Sequence, residues 1–295
     1  MVEYNTIIIG AGISGISCAI YLKRAGIKTL LIENSMPGGQ LNKASVIENY
    51  PGYVSIGGSE LSSMLLEQVQ TNNIDLVYDE VSDIDYDKKI LMIRDTKYKY
   101  QYLVFATGRR ERTLGIDNED KWIGKGISLC ATCDGALYKN QDVIVVGGGS
   151  SAVSEAIYLS NICRNVYLIY RGTDLRAEAV LKSRLEILNN VEVIYERTVK
   201  NYLIEDNKLV GVKLDNGDKV KGICIFLAIG HIPNSELFIG NKNDGYIMID
   251  EYGETSIDDV YACGDVISKK VYQLITASSE GVLVASSIIR ENQSR

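Results

Sequence analysis

Thr6-Ile7-Ile8-Ile9-Gly10-Ala11-Gly12-Ile13-Ser14-Gly15 is the stretch on which the reading of this chain turns. A short apolar run passes straight into a GxGxxG turn. Ile16, Ala19, Ile20 and Lys23 then fall at helical spacing. A second run, Thr29-Leu30-Leu31-Ile32, ends on Glu33, 23 residues after Gly10. The glycines alone say little. Placed between a strand and a helix, with an acid at the end of the next strand, they make the context of a dinucleotide-binding βαβ unit. The turn lets the backbone approach a pyrophosphate, and the helix start offers N–H donors. Glu33 can accept hydrogen bonds from both hydroxyls of a ribose.

The pattern recurs 137 residues later. Asp142-Val143-Ile144-Val145-Val146 reads as a strand, Gly147-Gly148-Gly149-Ser150-Ser151-Ala152 as a GxGxxA turn, and Val153, Ala156, Ile157 and Leu159 as a helix face. The next strand, Asn165-Val166-Tyr167-Leu168-Ile169, is followed by Tyr170 and Arg171 rather than an acid. With Arg171 and Arg176 nearby, the missing acid points to a ribose carrying a 2′-phosphate, hence NADP rather than NAD. The alternative is a second fold kept as scaffold, with its arginines solvated.

The length of 295 residues suits two domains. Val260-Tyr261-Ala262-Cys263-Gly264-Asp265 offers a strand ending in Gly-Asp, followed by a helical apolar pattern from Gly281 to Ile289. The layout expected is therefore discontinuous. Residues 1–110 and 239–295 form one domain and 111–238 an inserted one, with hinge crossings near Gly108–Thr113 and Phe238–Asn243. Between the motifs the chain reads as β-rich connection, with a turn at Asn216-Gly217. A hydrophobic share of 46% excludes a disordered chain, and a net charge of −7 argues against general affinity for nucleic acid or anionic membrane. No run reaches the length of a membrane span, and the N-terminus lacks the basic region of a signal peptide, so a cytoplasmic protein is expected.

Structural disulfides are rare in that compartment. Cys18, Cys163, Cys224 and Cys263 stand alone among small or apolar residues and read as buried fillers. Cys130-Ala131-Thr132-Cys133 is the only CxxC. Zinc needs two more ligands, yet no second CxxC exists and His231 is the sole histidine. A redox disulfide is favoured, and Asp134 beside it is placed to move the proton of thiol exchange or, more blandly, to cap a helix. Glycines for a dinucleotide, an acid-bound ribose and a distal Gly-Asp motif fit FAD, whose own chemistry can feed a disulfide.

At this point the chain resembles the low-molecular-weight thioredoxin reductases over nearly its whole length. Cys130-Ala131-Thr132-Cys133-Asp134-Gly135 is the most specific segment. It is joined by Pro37-Gly38-Gly39-Gln40-Leu41, Glu48-Asn49-Tyr50-Pro51-Gly52, Ala106-Thr107-Gly108, Ala228-Ile229-Gly230-His231-Ile232-Pro233-Asn234 and Cys263-Gly264-Asp265-Val266. The resemblance implies an α/β fold of two Rossmann-like domains of the pyridine-nucleotide-disulfide oxidoreductase type, the second inserted in the first. It also implies a homodimer holding FAD, with thioredoxin as partner. Cys130 would attack thioredoxin's disulfide, Cys133 would face the flavin, and Asp134 would be the acid–base group. FAD would lie against Gly10, Gly12, Ser14, Gly15, Glu33, Gly39, Gln40, Leu41, Asn49, Val81, Thr107, Gly108, Gly264, Asp265, Gln273 and Leu274. NADPH would lie against Gly149, Ser150, Ser151, Arg171 and Arg176. In the family the inserted domain rotates about its hinge.

The chain departs from the family at the nucleotide signatures. Ser150 replaces an asparagine, Tyr170-Arg171-Gly172 lacks a histidine and an arginine, and Tyr272 stands where an arginine precedes Gln273. A related branch takes electrons from reduced ferredoxin, so NADPH and ferredoxin stand as equal expectations for the donor. Arg109, Arg110, Arg112, Lys121 and Lys125, interleaved with acids, read either as a basic face for an acidic donor protein or as a solvated mixed-charge loop. Two other functions are kept beside the first. One is reduction of a peroxiredoxin-type partner, whose reductases usually carry an extra N-terminal region. The other is a non-catalytic flavin redox sensor.

Overall fold

The computed structural model describes residues 1–44 and 46–294. The chain divides into two compact units, residues 1–110 with 233–295, and residues 111–232. The return crossing thus falls at 232/233, six residues before the expected 238/239. The reason is local. Asn234 donates its side-chain amide to the Thr107 carbonyl at 2.8 Å, and buried Phe238 packs edge-on against Phe105 with ring centroids 5.5 Å apart. Residues 233–238 are held by the first unit.

The first unit is built on a seven-stranded sheet. Its parallel part runs Asp75–Tyr78, Thr29–Glu33, Val2–Ile9, Thr96–Phe105, with Val260–Ala262 also pairing on Thr96–Phe105. Ile90–Ile93 and Val81–Asp85 extend it antiparallel. Ile9 sits level with Ile32 and with Phe105, so three strands end together at the glycine turn. Both faces are covered, which is why the strands read as unbroken apolar runs. Ile8, Leu31, Tyr102 and Val104 face Ile16, Ala19 and Leu22 of the helix Ile13–Arg24, and Val284, Ala285 and Ile288 of the helix Leu274–Ser294. Ile7, Ile9, Leu30, Ile32 and Phe105 point the other way, onto Leu91, Ile93 and Phe238. The two helices meet closely because Gly281 has no side chain: a Cβ there would stand 2.1 Å from the Ser14 carbonyl oxygen. A helix at Gly58–Thr71 occupies a stretch expected to be β-rich. Leu61, Leu65 and Val69 recur every four residues along it and pack inward.

The second unit carries its own parallel sheet, in the order Val191–Tyr195, Asn165–Tyr170, Asp142–Val146, Cys224–Leu227, Ile127–Ser128. The helix Ser150–Ser160 buries Ala152, Val153, Ala156 and Leu159 against it. A three-stranded antiparallel sheet, Val199–Glu205, Lys208–Leu214 and Lys219–Lys221, covers the other face. The Asn216-Gly217 turn joins its last two strands, with Gly217 at φ +94. Among the described residues, no helix is long and apolar enough to cross a membrane.

Candidate active site

The CxxC segment follows the edge strand Ile127–Ser128 of the second unit. Cys130 and Cys133 are joined by a disulfide. Cys130 stands at the start of the short helix Ala131–Asp134, and its Sγ accepts the Cys133 N–H at 3.2 Å. The Cys130 N–H donates to Ser128 Oγ at 3.1 Å, and the Ser128 hydroxyl donates to Asp134 Oδ2 at 2.7 Å. One buried hydroxyl therefore fixes both the first cysteine and the carboxylate. Ser128 was not among the expected site residues, since no motif marks a serine two positions ahead of a CxxC.

The remaining cysteines are all buried. Burial pushes Cys163 up to about 11, Cys224 and Cys263 up to about 12, and Cys18 well above the ordinary thiol value. They are protonated fillers at neutral pH, whereas the Cys130–Cys133 pair is half-exposed.

The first glycine turn is tightly specified. Gly10 adopts φ +105, and a Cβ there would lie 2.4 Å from the Ala106 carbonyl oxygen. Gly15 packs on the Gly10 carbonyl, and Gly264 packs on Ser14. At Gly12 the Cβ direction is open. Glu33 is 9% exposed and accepts the N–H of Ala11 at 2.8 Å and of Ser35 at 2.9 Å, one on each oxygen. A carboxylate has about four acceptor positions, so Glu33 keeps capacity for hydroxyl donors. It lines a cavity of 860 Å³ together with Gly10, Val81, Thr107, Arg110 and Asn234, and with Asn34 and Arg94, which the sequence did not single out.

A second group gathers elsewhere in the same unit. Asn49 donates to Gln273 Oε1 at 3.2 Å. Gln40 donates to the Arg109 carbonyl at 2.8 Å. Asp265 stands 3.3 Å from Arg109 Nε and 3.1 Å from Lys269 Nζ. Leu41 and Leu274 pack in a small core with Ile13 and Leu61, Gly39 opens the turn Gly39–Lys43 at φ +54, and Gly108 accepts the Asn234 N–H at 2.9 Å. Arg109 is the residue the sequence misplaced. Its guanidinium lies 4.1 Å from the centre of the Tyr272 ring, so the arginine missing at 272 has a counterpart stacked on the tyrosine that replaced it.

The second glycine turn opens on a cavity of 640 Å³ lined by Gly147, Gly148, Gly149, Ser151, Tyr170, Arg171 and Arg176. Arg112, Arg197 and Lys200 also line it, and among the described residues none that lines it is acidic. Ser150 does not line it, and its hydroxyl instead accepts the Glu178 N–H at 3.3 Å. Arg197 and Lys200 carried no sequence signal, because they come from a different strand connection. Members of the basic run at 109–125 go to different partners. Arg109 goes to Asp265, Arg110 pairs with Glu236 at 2.7 Å and Asn234 at 2.6 Å, and Arg112 donates to the His231 carbonyl at 3.1 Å. Glu119, expected in a solvated loop, is 5% exposed and accepts from Leu114 N–H, Gly115 N–H and the Tyr202 hydroxyl.

Residues 4–281 match the pyridine nucleotide-disulphide oxidoreductase family. The thioredoxin reductase of Bacillus subtilis is 34% identical over 295 residues, covering 97% of this chain and 93% of that protein. Among solved structures, the thioredoxin reductase of Lactococcus lactis superposes with a TM-score of 0.82 at 32% identity, covering 99% of this chain and 100% of that one. A ferredoxin-flavin thioredoxin reductase from Clostridium acetobutylicum superposes with a TM-score of 0.56 at 28% identity, covering 100% of both chains.

Proposed function

The chain belongs to the thioredoxin reductase family of pyridine nucleotide-disulphide oxidoreductases, and from that premise we propose that it is an FAD-dependent enzyme that reduces thioredoxin with electrons from NADPH. The observation that carries the donor reading is the second cavity. Among the described residues five cations and no carboxylate line it, in a chain of net charge −7. That concentration of positive charge beside a glycine turn suits a ligand with several phosphates. It also makes up for the arginine that Gly172 lacks.

The first unit fits FAD on its own terms. The Cβ direction at Gly12 is open at a helix start, and Glu33 stands beside a cavity large enough for an adenosine. Glu33 would hold the ribose, and Asn49, Gln273 and Asp265 would surround the ring system. FAD, when bound, supplies a carrier that accepts two electrons from one donor and passes them to a disulfide.

The chain's own residues then perform the exchange. Two electrons and two protons convert the Cys130–Cys133 bond to two thiols. The N–H of Cys133 points at Cys130 Sγ, which favours its thiolate. That thiolate attacks one sulfur of thioredoxin's disulfide, forming a mixed disulfide and releasing a thioredoxin thiolate that takes a proton. Cys133 then attacks Cys130 Sγ, restoring the 130–133 bond and releasing the second thioredoxin sulfur. Asp134, held by Ser128, serves as the proton donor and acceptor.

Anaerobic titration tests both halves. NADPH should bleach the visible flavin band of the pure protein, free thiols should appear when oxidised thioredoxin is added, and Cys130→Ser should abolish the thiols. No bleaching at millimolar NADPH, with bleaching by photoreduced ferredoxin, would overturn the donor reading. A Cys130→Ser protein with full turnover would overturn the exchange. The assembly implied by the family is a homodimer, which sedimentation of the pure protein decides.

A further inference from the structure

The space beside Gly172 is taken by the Tyr170 ring. A Cβ added there would come within 2.7 Å of the Tyr170 ring and 2.9 Å of its hydroxyl, and a Cβ at Gly148 would meet the same ring at 2.1 Å. Tyr170 thus lies between two glycines and takes the space from which a side chain at 172 would grow. A cation is delivered to this place from another part of the second unit. The Glu196 N–H donates to the Gly172 carbonyl at 3.2 Å, and the Arg197 N–H donates to the Tyr170 carbonyl at 3.2 Å. Residues 196–197 are stitched along the backbone of the 170–172 turn. Arg197 lines the same cavity as Arg171 and Arg176. The Arg176 N–H is in turn bonded to the Gly148 carbonyl of the glycine turn at 2.7 Å, so the three arginines are anchored on that turn and on the strand end at 170–171. The carboxylate that feels Arg197, Asp215, is also bonded to the Thr198 hydroxyl at 3.1 Å, and it is absent from the cavity wall.

We propose that Arg197, with Arg171 and Arg176, forms a clamp for a phosphomonoester and is the residue that selects NADPH over NADH in this chain. A 2′-phosphate carries close to two negative charges and three acceptor oxygens, which one guanidinium cannot satisfy. Arginines from two separate loops can enclose it. The proposal rests on the reading of the second cavity as the NADPH site, and its test separates the two.

Calorimetric titration of the flavin-loaded protein uses adenosine 2′,5′-bisphosphate and adenosine 5′-monophosphate as probes. The wild-type chain should bind the bisphosphate more tightly. Arg197→Met should weaken bisphosphate binding by about tenfold to a hundredfold, the worth of one charge-assisted hydrogen bond, and leave the monophosphate unchanged. Arg197→Lys should restore part of the loss, since it returns the charge without the fork. Unchanged monophosphate affinity certifies the fold of each variant, and Arg197→Gln replaces Arg197→Met if that protein does not fold. If the variants keep the wild-type preference, the clamp is refuted while the NADPH reading stands. If the wild-type chain shows no preference for the bisphosphate, the NADPH reading falls and the clamp falls with it.

Discussion

Gly10 and Gly147 hold the same place in two βαβ units, yet the strands that follow them end in opposite chemistry. Both glycines sit where φ is positive, at +105 and +149, and both press against a backbone carbonyl, that of Ala106 at 2.4 Å and that of Ala228 at 2.3 Å. The first unit then finishes on Glu33, whose carboxylate is braced by the N–H groups of Ala11 and Ser35. The second finishes on Tyr170, whose ring lies over Gly148 within a wall of cations. The turn is set by backbone sterics and is therefore repeated. The strand end is set by the ligand and is therefore free to diverge. Substitution should separate these layers. Gly10→Ala meets a backbone oxygen that cannot move aside, at a cost of ~3 kcal/mol or more. It should yield a protein of sharply lowered melting temperature that purifies without its visible flavin band. Gly147→Ala should keep the flavin band and lose reduction by NADPH. Equal flavin loss in both variants would end the division of labour between the two turns.

The helices after the two turns make a second pair. Position 155 in the second unit corresponds to position 18 in the first, at the same 137-residue offset. Cys18 is fully buried, in a helix that packs against Leu274–Ser294. Glu155 is a carboxylic acid in the matching place. Its Oε2 is buried without a hydrogen-bond partner among the described residues, and burial pushes the acid from 4.5 up to about 7. An acid raised in this way holds its proton longer in the folded state than in the unfolded one. The folded state binds more protons between about pH 4.5 and 7, so stability falls as pH rises through that window. The loss at pH 8 is on the order of 3 kcal/mol. Glu155→Gln should therefore melt above the wild-type chain at pH 8, with the gap closing towards pH 4.5. A gap independent of pH would mean that this carboxyl does not titrate with unfolding.

Sequence carried the frame further than the rim. Periodicity and glycine spacing are local, so both turns, both flanking strands and the CxxC with its acid could be read from adjacent residues. Glu33 could be read too, because the strand length between Gly10 and Glu33 is fixed by the βαβ unit. The helix Gly58–Thr71 was lost because its polar face dilutes the Leu61, Leu65 and Val69 spacing. Arg109, Arg197 and Lys200 were lost for another reason: each meets its partners through tertiary folding. Ser128 acts within its own segment, two residues before Cys130 and six before Asp134, but no motif marks a serine there. The basic run at 109–125 reads two ways in sequence, and only the structure shows its members going to different partners: Arg109 to Asp265, Arg110 to Glu236, Lys121 to Asn118.

Both units share one further habit, which yields the smallest of these effects. At 172 and at 272 an expected arginine is absent, a tyrosine stands at or beside the gap, and an arginine from elsewhere lies against it. Arg197 is bonded through its backbone to Tyr170. Arg109 instead touches Tyr272 through its side chain, 4.1 Å from the ring centre, while reaching Asp265 at 3.3 Å. In the first unit the ring itself should then help to hold the cation, by ~0.5–1 kcal/mol for a partly exposed cation–π contact. A double-mutant cycle of Tyr272→Leu and Arg109→Met, read as melting temperature, isolates that coupling from the packing lost by either change alone. The coupling should be favourable, and it should persist in Tyr272→Phe, which keeps the ring without the hydroxyl. If the two substitutions add without coupling, the ring does not hold the arginine. Arg109 would then be fixed by Asp265 alone, and the parallel between the two units would reduce to a coincidence of tyrosines.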